Sequence, residues 1–530
     1  MHPSRSSCSR DGLAEVADAY ASAPLLNCLL REVGEALPGS GEPVPGPGES
    51  GDRRVYRLPG EGRLLRVRDG RRPTEPEVYA AGAWQRLSHA ELVKLTAEVL
   101  RGHTGLSNPE LPAEMIDSRD AVAAILTARA AATPPDDPYR RSEQSLITGH
   151  PYHPAPKARG GGPVTGWLPY APEAYTRFPL VLLGLREDAC MEDGDTAALD
   201  ALGEAPPGYR LLPAHPWQLD LVDARPEIRE AFADGRLVRL GPSSWTAWPT
   251  AAIRTVYVPD TDLFVKFSLD VRITNDIRRL WRHDLLRLRR TDAAVTRAFT
   301  AVGAPAAWLS DRGYRTADFA FEELAVLVRD GLRAHLTPGA TPLLAAALTE
   351  CRAFEGGPLG TLGPLGPLGT LADPAAWWSA YLRQVVPPVL ELFARHGVVV
   401  EAHLQNTVVA VDAAGMPVQA LFRDAEGVKL LPEVERAAGW ERLVYCLVVN
   451  NLLEIAEALR ERYPDVRVWD AVRRELARCD AELPEVAELL RAPTLPGKTN
   501  LLLRWTGADG ADARYLPVPN PLRTEDLAAG

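Results

Sequence analysis

Proline placement constrains this chain most, above all in Gly149-His150-Pro151-Tyr152-His153-Pro154-Ala155-Pro156-Lys157-Ala158-Arg159-Gly160-Gly161-Gly162. Each proline lacks an N–H and restricts the residue before it, so this stretch cannot be a helix. The closing glycines let the backbone approach a ligand. An extended segment carrying two histidines, a lysine and an arginine reads either as an anion-binding rim or as a surface loop with solvated charges. The choice depends on what the rest of the chain supplies.

A chain of 530 residues, 46% hydrophobic and 24% charged, is expected to form a soluble protein of two or three domains. Its net charge of −11 argues against a nucleic-acid binder, though not against a local positive pocket for a small anion. No apolar stretch suits a membrane span: Phe178–Leu185 is too short, and Leu443–Ala456 is broken by Asn450, Asn451 and Glu454. Asp11, Glu15 and Asp18 stand where a signal peptide would need apolar residues. The six cysteines (Cys8, Cys28, Cys190, Cys351, Cys446, Cys479) show neither CxxC nor zinc spacing, so reduced thiols in a cytoplasmic protein are expected.

Three regions differ in texture. Residues 1–138 read as helical, through Asp11–Val33, Ser88–Arg101 and Asp117–Ala132, with a hairpin-like Arg53–Arg68 between them. Thr133-Pro134-Pro135-Asp136-Asp137-Pro138 closes that region. Residues 139–375 read as α+β with antiparallel pairing. Strands are expected at Phe178–Leu185, Tyr209–Ala214, Leu237–Leu240, Ile253–Val258 and Leu263–Lys266, and Phe319–Arg329 alternates like a strand. A helix is expected at Pro226–Asp234, and Phe267–Arg290 ends in a long basic one. Gly356–Leu371, of low complexity, reads as a flexible insertion or linker. Residues 376–530 read as mainly helical, through Trp377–Phe393, Trp440–Arg462 and Val466–Leu490. A short β unit interrupts them: Val398–Val400, Thr407–Val411 and Val418–Phe422.

Four clusters hold the residues able to do chemistry. His150, His153, Lys157 and Arg159 form the first, and Arg254, Thr255, Lys266, Arg272, Thr274, Asn275 and Arg278 the second. Glu401, His403, Gln405 and Asn406 form the third, and Arg423 with Asp424 the fourth. Arginine forks match phosphate and carboxylate oxygens bidentately, while lysine acts as a point charge. Lys266 sits in an apolar strand, where it is either paired or on the outward face. On the helix expected after it, Thr274 and Arg278 share one face. Strand alternation places Glu401, His403 and Gln405 on one side of an extended segment. Glu, Asp and an Asn amide suit Mg²⁺ carried by nucleotide phosphates. His215-Pro216-Trp217-Gln218 reads as the packing of a turn or as part of a site. There is no GxSxG elbow, GxxxxGK[ST] loop or HExxH. The order His403, Asn406, Asp424 is similar to kinase-like phosphotransferases. However, Gln405 stands where their base aspartate would be and Asn406 comes too early.

Taken in order, these pieces resemble the IucA/IucC-like family, the NRPS-independent siderophore (NIS) synthetases. The pieces are Gly149–Gly160, His215-Pro216-Trp217-Gln218, Ile253-Arg254-Thr255-Val256, Lys266-Phe267, Ile273-Thr274-Asn275 with Arg278, Glu401-Ala402-His403-Leu404-Gln405-Asn406, and Phe422-Arg423-Asp424 with Gly427. The resemblance implies an α+β cupped hand with a helical thumb (1–138), fingers of mixed, largely antiparallel sheet (139–375) and a mainly helical palm (376–530). It implies an ATP- and Mg²⁺-dependent, AMP-forming ligase that adenylates a carboxylate such as citrate and passes it to an amine or hydroxyl. By position, His153, Lys157, Arg159, Arg254, Thr255, Lys266, Gln405, Asn406 and Asp424 would hold ATP. Glu401, Asn406 and Asp424 would hold Mg²⁺, and Thr274, Arg278 and His403, with Lys266, would act on the carboxylate. Small-molecule partners and a homodimer are also implied. Ala252 departs from the family, which often has serine two residues before the Arg-Thr pair. The alternatives are a kinase-like phosphotransferase and an ATP-binding paralogue without catalysis.

Overall fold

The computed structural model describes residues 10–38, 53–60, 62–160, 162–303, 305–350, 371–479, 483–508 and 514–523. Apolar periodicity yields the helices Arg10–Glu32, His89–Thr104 and Glu110–Ala131. Ser88 Oγ accepts from the Glu91 N–H while Glu91 accepts from the Ser88 N–H, a capping box that fixes where the second helix begins. Between the first two helices stands more than the expected hairpin. Glu35–Ala36, Arg53–Arg57, Leu64–Arg68, Thr74–Ala80 and Ala83–Arg86 form a five-stranded antiparallel sheet in sequence order. Its faces are laced by ion pairs, Arg53 and Arg66 both reaching Glu77 at 2.6 Å, so it lacks the apolar alternation that announces a strand. The region read as helical is therefore helix and sheet.

The middle of the chain builds an eight-stranded antiparallel sheet. Its order is Cys190–Gly194, Asp311–Ala317, Val326–Asp330, Leu263–Phe267, Thr255–Val258, Leu237–Pro249, Phe178–Arg186 and Tyr209–Ala214. Leu183, Val256, Val265 and Val328 are fully buried on one face. Lys266 pairs in register with Thr255 on one side and Leu327 on the other. The basic helix begins only at Arg282 and runs to Val302. Ahead of it, where Thr274 and Arg278 were expected on a helix, the chain makes a hairpin of Leu269–Ile273 and Asp276–Arg278.

A four-stranded sheet (Ala307–Leu309, Pro417–Arg423, Thr407–Val411, Thr341–Leu344) packs on the helix Pro374–His396, whose Trp377, Trp378 and Tyr381 are buried in the largest core. The expected helix over Trp440–Arg462 is present, but Val444–Leu453 within it is a π-helix. Val466–Leu490 divides into Val468–Ala477 and Pro484–Arg491. The Gly356–Leu371 expectation falls, except for Leu371, outside the described residues. Near its end the chain returns to its beginning. The helix Asn500–Thr506 buries Leu501 and Trp505 among Leu25, Leu29 and Val99, and the Glu32 carboxylate accepts from the Leu501 and Leu502 N–H groups at 2.9 and 2.8 Å. Among the described residues no helix is long and apolar enough to cross a membrane.

Trp378 has no exposed surface, and its indole N–H donates to Val468 O at 3.0 Å. Trp378→Ala should lower stability by about 3–5 kcal/mol, read from denaturant midpoints at unchanged m-value.

Candidate active site

Between the eight-stranded sheet, the four-stranded sheet, the proline-dense segment and the π-helix lies a cavity of about 350 Å³, within the range of small-molecule sites. Every residue singled out above as a nucleotide, carboxylate or metal ligand borders it. Its floor is a ladder of alternating charges. Arg254 donates through Nη2 to Glu426 at 2.9 Å and through Nη1 to the Arg278 and Arg279 carbonyls at 3.1 and 2.9 Å. Lys266, only 2% exposed, bridges Asp424 at 2.7 Å and Glu426 at 2.6 Å. Arg329 joins Asp424 at 3.1 Å to Asp311 at 2.6 Å. Lys266 is thus paired inward and does not lie on an outward face. Burial works to raise the Asp424 carboxyl, but Lys266 and Arg329 hold it well below the usual carboxylate range.

Backbone strain gathers here too. Ile253 (φ 59°), Thr274 (φ 61°) and Asp424 (φ 83°) all border the cavity in the left-handed region. That conformation is a genuine outlier for a β-branched residue. Thr274 forms the hairpin turn, and its hydroxyl accepts from Arg278 across the turn. The Glu401–Asn406 segment is a turn, not an extended strand: Asn406 N–H bonds to His403 O at 3.0 Å. It is clamped from behind by Arg423, which donates to the Gln405 carbonyl at 2.8 Å and pairs with Glu143 at 2.6 Å.

Of the proline-dense rim, Lys157 and Arg159 spend their charge on one buried carboxylate, Glu173. Burial, reinforced by His403 and Lys498, pushes His150 down to about 3, and burial lowers His153 as well, so both rings are neutral at ordinary pH. Their Nδ1 atoms accept from the Tyr152 and Ala155 N–H groups, each at 3.1 Å. His153 Nε2 and the Asn275 side-chain oxygen are buried, act on each other, and have no other hydrogen-bond partner among the described residues; both residues border the cavity. The His215 motif stands apart as packing. His215 caps the helix Pro216–Val222 among Tyr170, Phe178 and Phe267, and Gln218 accepts from the Asp270 N–H at 2.8 Å. Arg272 is exposed and does not border the cavity.

Residues 138–350 match the family described as IucA / IucC. L-2,3-diaminopropanoate–citrate ligase of Staphylococcus aureus is 29% identical over 442 residues, 73% of this chain and 75% of that protein. The rhizobactin siderophore biosynthesis protein RhbC of Rhizobium meliloti is 29% identical over 478 residues, 78% of this chain and 81% of that protein. The chain is thus similar to the IucA/IucC family over residues 138–350, and to proteins named as siderophore ligases over about three quarters of its length. Its mixed helix-and-sheet fold matches ATP-bound aerobactin synthetase IucA from a hypervirulent pathotype of Klebsiella pneumoniae, with a TM-score of 0.82 at 21% identity over 96% of this chain and 100% of that one. Residues 375–513 also match a family described as ferric iron reductase FhuF-like transporter. Within that segment burial pushes the Cys446 thiol up to about 12.

Among the cavity residues that escape the sequence reading are Arg442, Tyr445 and Lys498. They belong to segments that carry no short motif, and only the fold brings them to the cavity that His403 borders. Arg442 pairs with Glu401, whose other oxygen lies 3.7 Å from His403 Nε2. Burial works to raise the Glu401 carboxyl, but Arg442 and then His403 outweigh it and hold it down at about 2. Because this carboxyl is depressed when folded, its stabilisation is present above its ordinary value of 4.5 and fades as pH falls toward about 2. Glu401→Gln should therefore flatten the acid limb of the stability–pH curve in that window, as followed by denaturant melts at stepped pH. Gly427 lies against the same carboxylate: a Cβ there would sit 2.2 Å from Glu401 Cδ. Gly427→Ala should displace Glu401 and weaken ligand binding by roughly tenfold, equivalent to about 1.4 kcal/mol, while calorimetric ligand titration accompanies an almost unchanged melting curve.

Proposed function

We propose that this chain is an AMP-forming, siderophore-type ligase that adenylates a carboxylate, citrate or a citrate derivative, and joins it to an amine or hydroxyl. The observation that carries the reading is a surplus of positive charge in the cavity. Among the described residues, Arg278 and Lys498 border it with no carboxylate at ion-pair distance, beside an Arg254–Lys266 floor already held rigid by Glu426. Burial lowers both free cations, next to Arg254 and Arg442 respectively, a cost that an anionic ligand would remove. Relatives named as citrate ligases of diaminopropanoate and of spermidine support the substrate class. The ATP-bound IucA neighbour supports the nucleotide.

In this reading a carboxylate oxygen attacks the α-phosphorus of ATP as the bond to pyrophosphate breaks. The amine nitrogen then attacks the acyl carbon, the bond to AMP breaks, and the nitrogen gives up its protons. Negative charge gathers on the phosphoryl oxygens, where cations that need no reorganisation count most. Arg254, Thr255, Lys266 and the neutral His153 would face the phosphates, with Lys157 and Arg159 behind them, and Gln405, Asn406 and Asp424 would hold the nucleotide. Thr274, Arg278 and His403, joined by Arg442 and Lys498, would hold the carboxylate substrate. Magnesium fits as a nucleotide-borne ion. Glu401, Asn406 and Asp424 offer the hard oxygen donors it prefers and are few enough to leave phosphate and water in its shell, where it would neutralise phosphate charge. Among the described residues no group of three or more His, Cys, Asp or Glu could cage a metal unaided. We place the thumb, fingers and palm of a cupped hand around this cavity, in a cytoplasmic homodimer.

The wild-type chain should release pyrophosphate from ATP and Mg²⁺ in the presence of citrate or a related polycarboxylate. Arg278→Ala and His403→Ala should each cut that release by at least about a hundredfold while melting like the wild type. Release undiminished in both variants, or ADP formed with a hydroxyl substrate instead of AMP, would reject the reading.

A further inference from the structure

The cavity extends beyond its cationic wall to Glu350, a carboxylate that neither the nucleotide nor the acid substrate employs. Its two oxygens lie 3.0 and 2.9 Å from Thr148 Oγ1, at the residue that leads into the proline-dense rim. Every other glutamate bordering the cavity is already neutralised: Glu173 by Lys157 and Arg159, Glu401 by Arg442, and Glu454 by Arg71 and Arg72. Among the described residues no cation stands at ion-pair distance from Glu350; Lys157, Arg72 and Arg71 act on it only from farther away. Burial pushes its carboxyl up. Among the described residues, this partly buried carboxylate has one hydroxyl at hydrogen-bond distance and no cation at ion-pair distance, and so is short of a cation.

The two halves of the cavity thus differ in sign. One side has the guanidinium of Arg278 and the ammonium of Lys498, two cations against the single Asp276 carboxylate that acts on both, and calls for anions; the other has, among the described residues, Glu350 with no cation at ion-pair distance, and calls for a cation. We propose that Glu350 is the anchoring subsite for the nucleophile, holding the non-reacting ammonium group of a diamine or diamino acid while its other amine faces the acyl carbon. The proposal rests on the ligase reading and narrows its nucleophile from amines and hydroxyls at large to those carrying a second, cationic nitrogen. Thr148 is then a positioning residue, fixing the carboxylate by its hydroxyl.

The test uses the full chain with ATP, Mg²⁺ and citrate and compares two classes of nucleophile. Hydroxylamine is uncharged at neutral pH and has no second ammonium, so hydroxamate formation reports adenylation and acyl transfer alone. L-2,3-diaminopropanoate, ornithine, putrescine and spermidine are the cationic probes. In Glu350→Gln the ratio of diamine condensation to hydroxamate formation should fall at least about tenfold, mainly through a raised KM for the diamine, and Glu350→Asp should restore part of it. An unchanged ratio in Glu350→Gln overturns the subsite, as does a wild-type chain that makes hydroxamate but accepts none of the diamines. Should Glu350→Gln lose hydroxamate formation as well, Glu350→Asp decides: a kept diamine preference supports the subsite and a lost one overturns it. A wild-type chain that forms no hydroxamate with any carboxylate overturns the ligase reading itself, and the subsite with it.

Discussion

The buried ladder Arg254–Glu426–Lys266–Asp424–Arg329–Asp311 is the interaction on which this architecture turns. Arg254, Lys266, Arg329 and Asp311 belong to the eight-stranded sheet or its immediate flank, while Asp424 and Glu426 follow the last strand of the four-stranded one. Breaking a buried pair by removing one partner costs about 3–5 kcal/mol, because a charge is left without compensation. The two sheets are therefore bound to dock in one way only, with acids of one against bases of the other. A cation held on both sides by carboxylates cannot swing out to solvent, so the same contacts that fix the docking also fix the geometry presented to the cavity.

Much of this was legible in the residues, and the limits of legibility are physical. Strands buried on both faces, such as Phe178–Arg186 and Leu263–Phe267, read as apolar runs, and the helix after Ser88 carries its own capping box. The N-terminal sheet was read only as a hairpin because ion pairs, not apolar side chains, join its strands. Thr274 and Arg278 meet as expected but on a hairpin, since a contact four residues apart arises in either geometry. Glu401, His403 and Gln405 reach the cavity from a turn whose shape is imposed by Arg423, a tertiary contact that no local pattern encodes. For the same reason Arg442, Lys498 and the partners Glu173 and Glu426 emerged only in three dimensions.

Strain follows the same map. Of the non-glycine residues with left-handed backbone, Ile253 directly precedes Arg254, Thr274 bonds Arg278, and Asp424 bonds Lys266. Each awkward conformation costs on the order of 1–3 kcal/mol and persists only where the surroundings over-determine it. Here those surroundings are the ladder and the tightly packed sheets, so stability gathered in the core is drawn down at the points where charged side chains must aim into the cavity.

The return of Asn500–Thr506 to the first helix has a consequence for how such a chain is made. Asn500 donates to Tyr152 O in the proline-dense rim and accepts from Asn275, and Lys498 enters the cavity from the same stretch. Chains emerge from the ribosome N-terminus first, and domains tend to fold as they appear. The N-terminal helices and the eight- and four-stranded sheets all precede residues 498–505 in the chain, so until that stretch emerges the N-terminal core lacks Leu501 and Trp505 and one wall of the cavity is missing. Closure of the cleft therefore waits for residues 498–505, and a nascent chain that has not yet exposed them lacks part of the surface that borders the cavity.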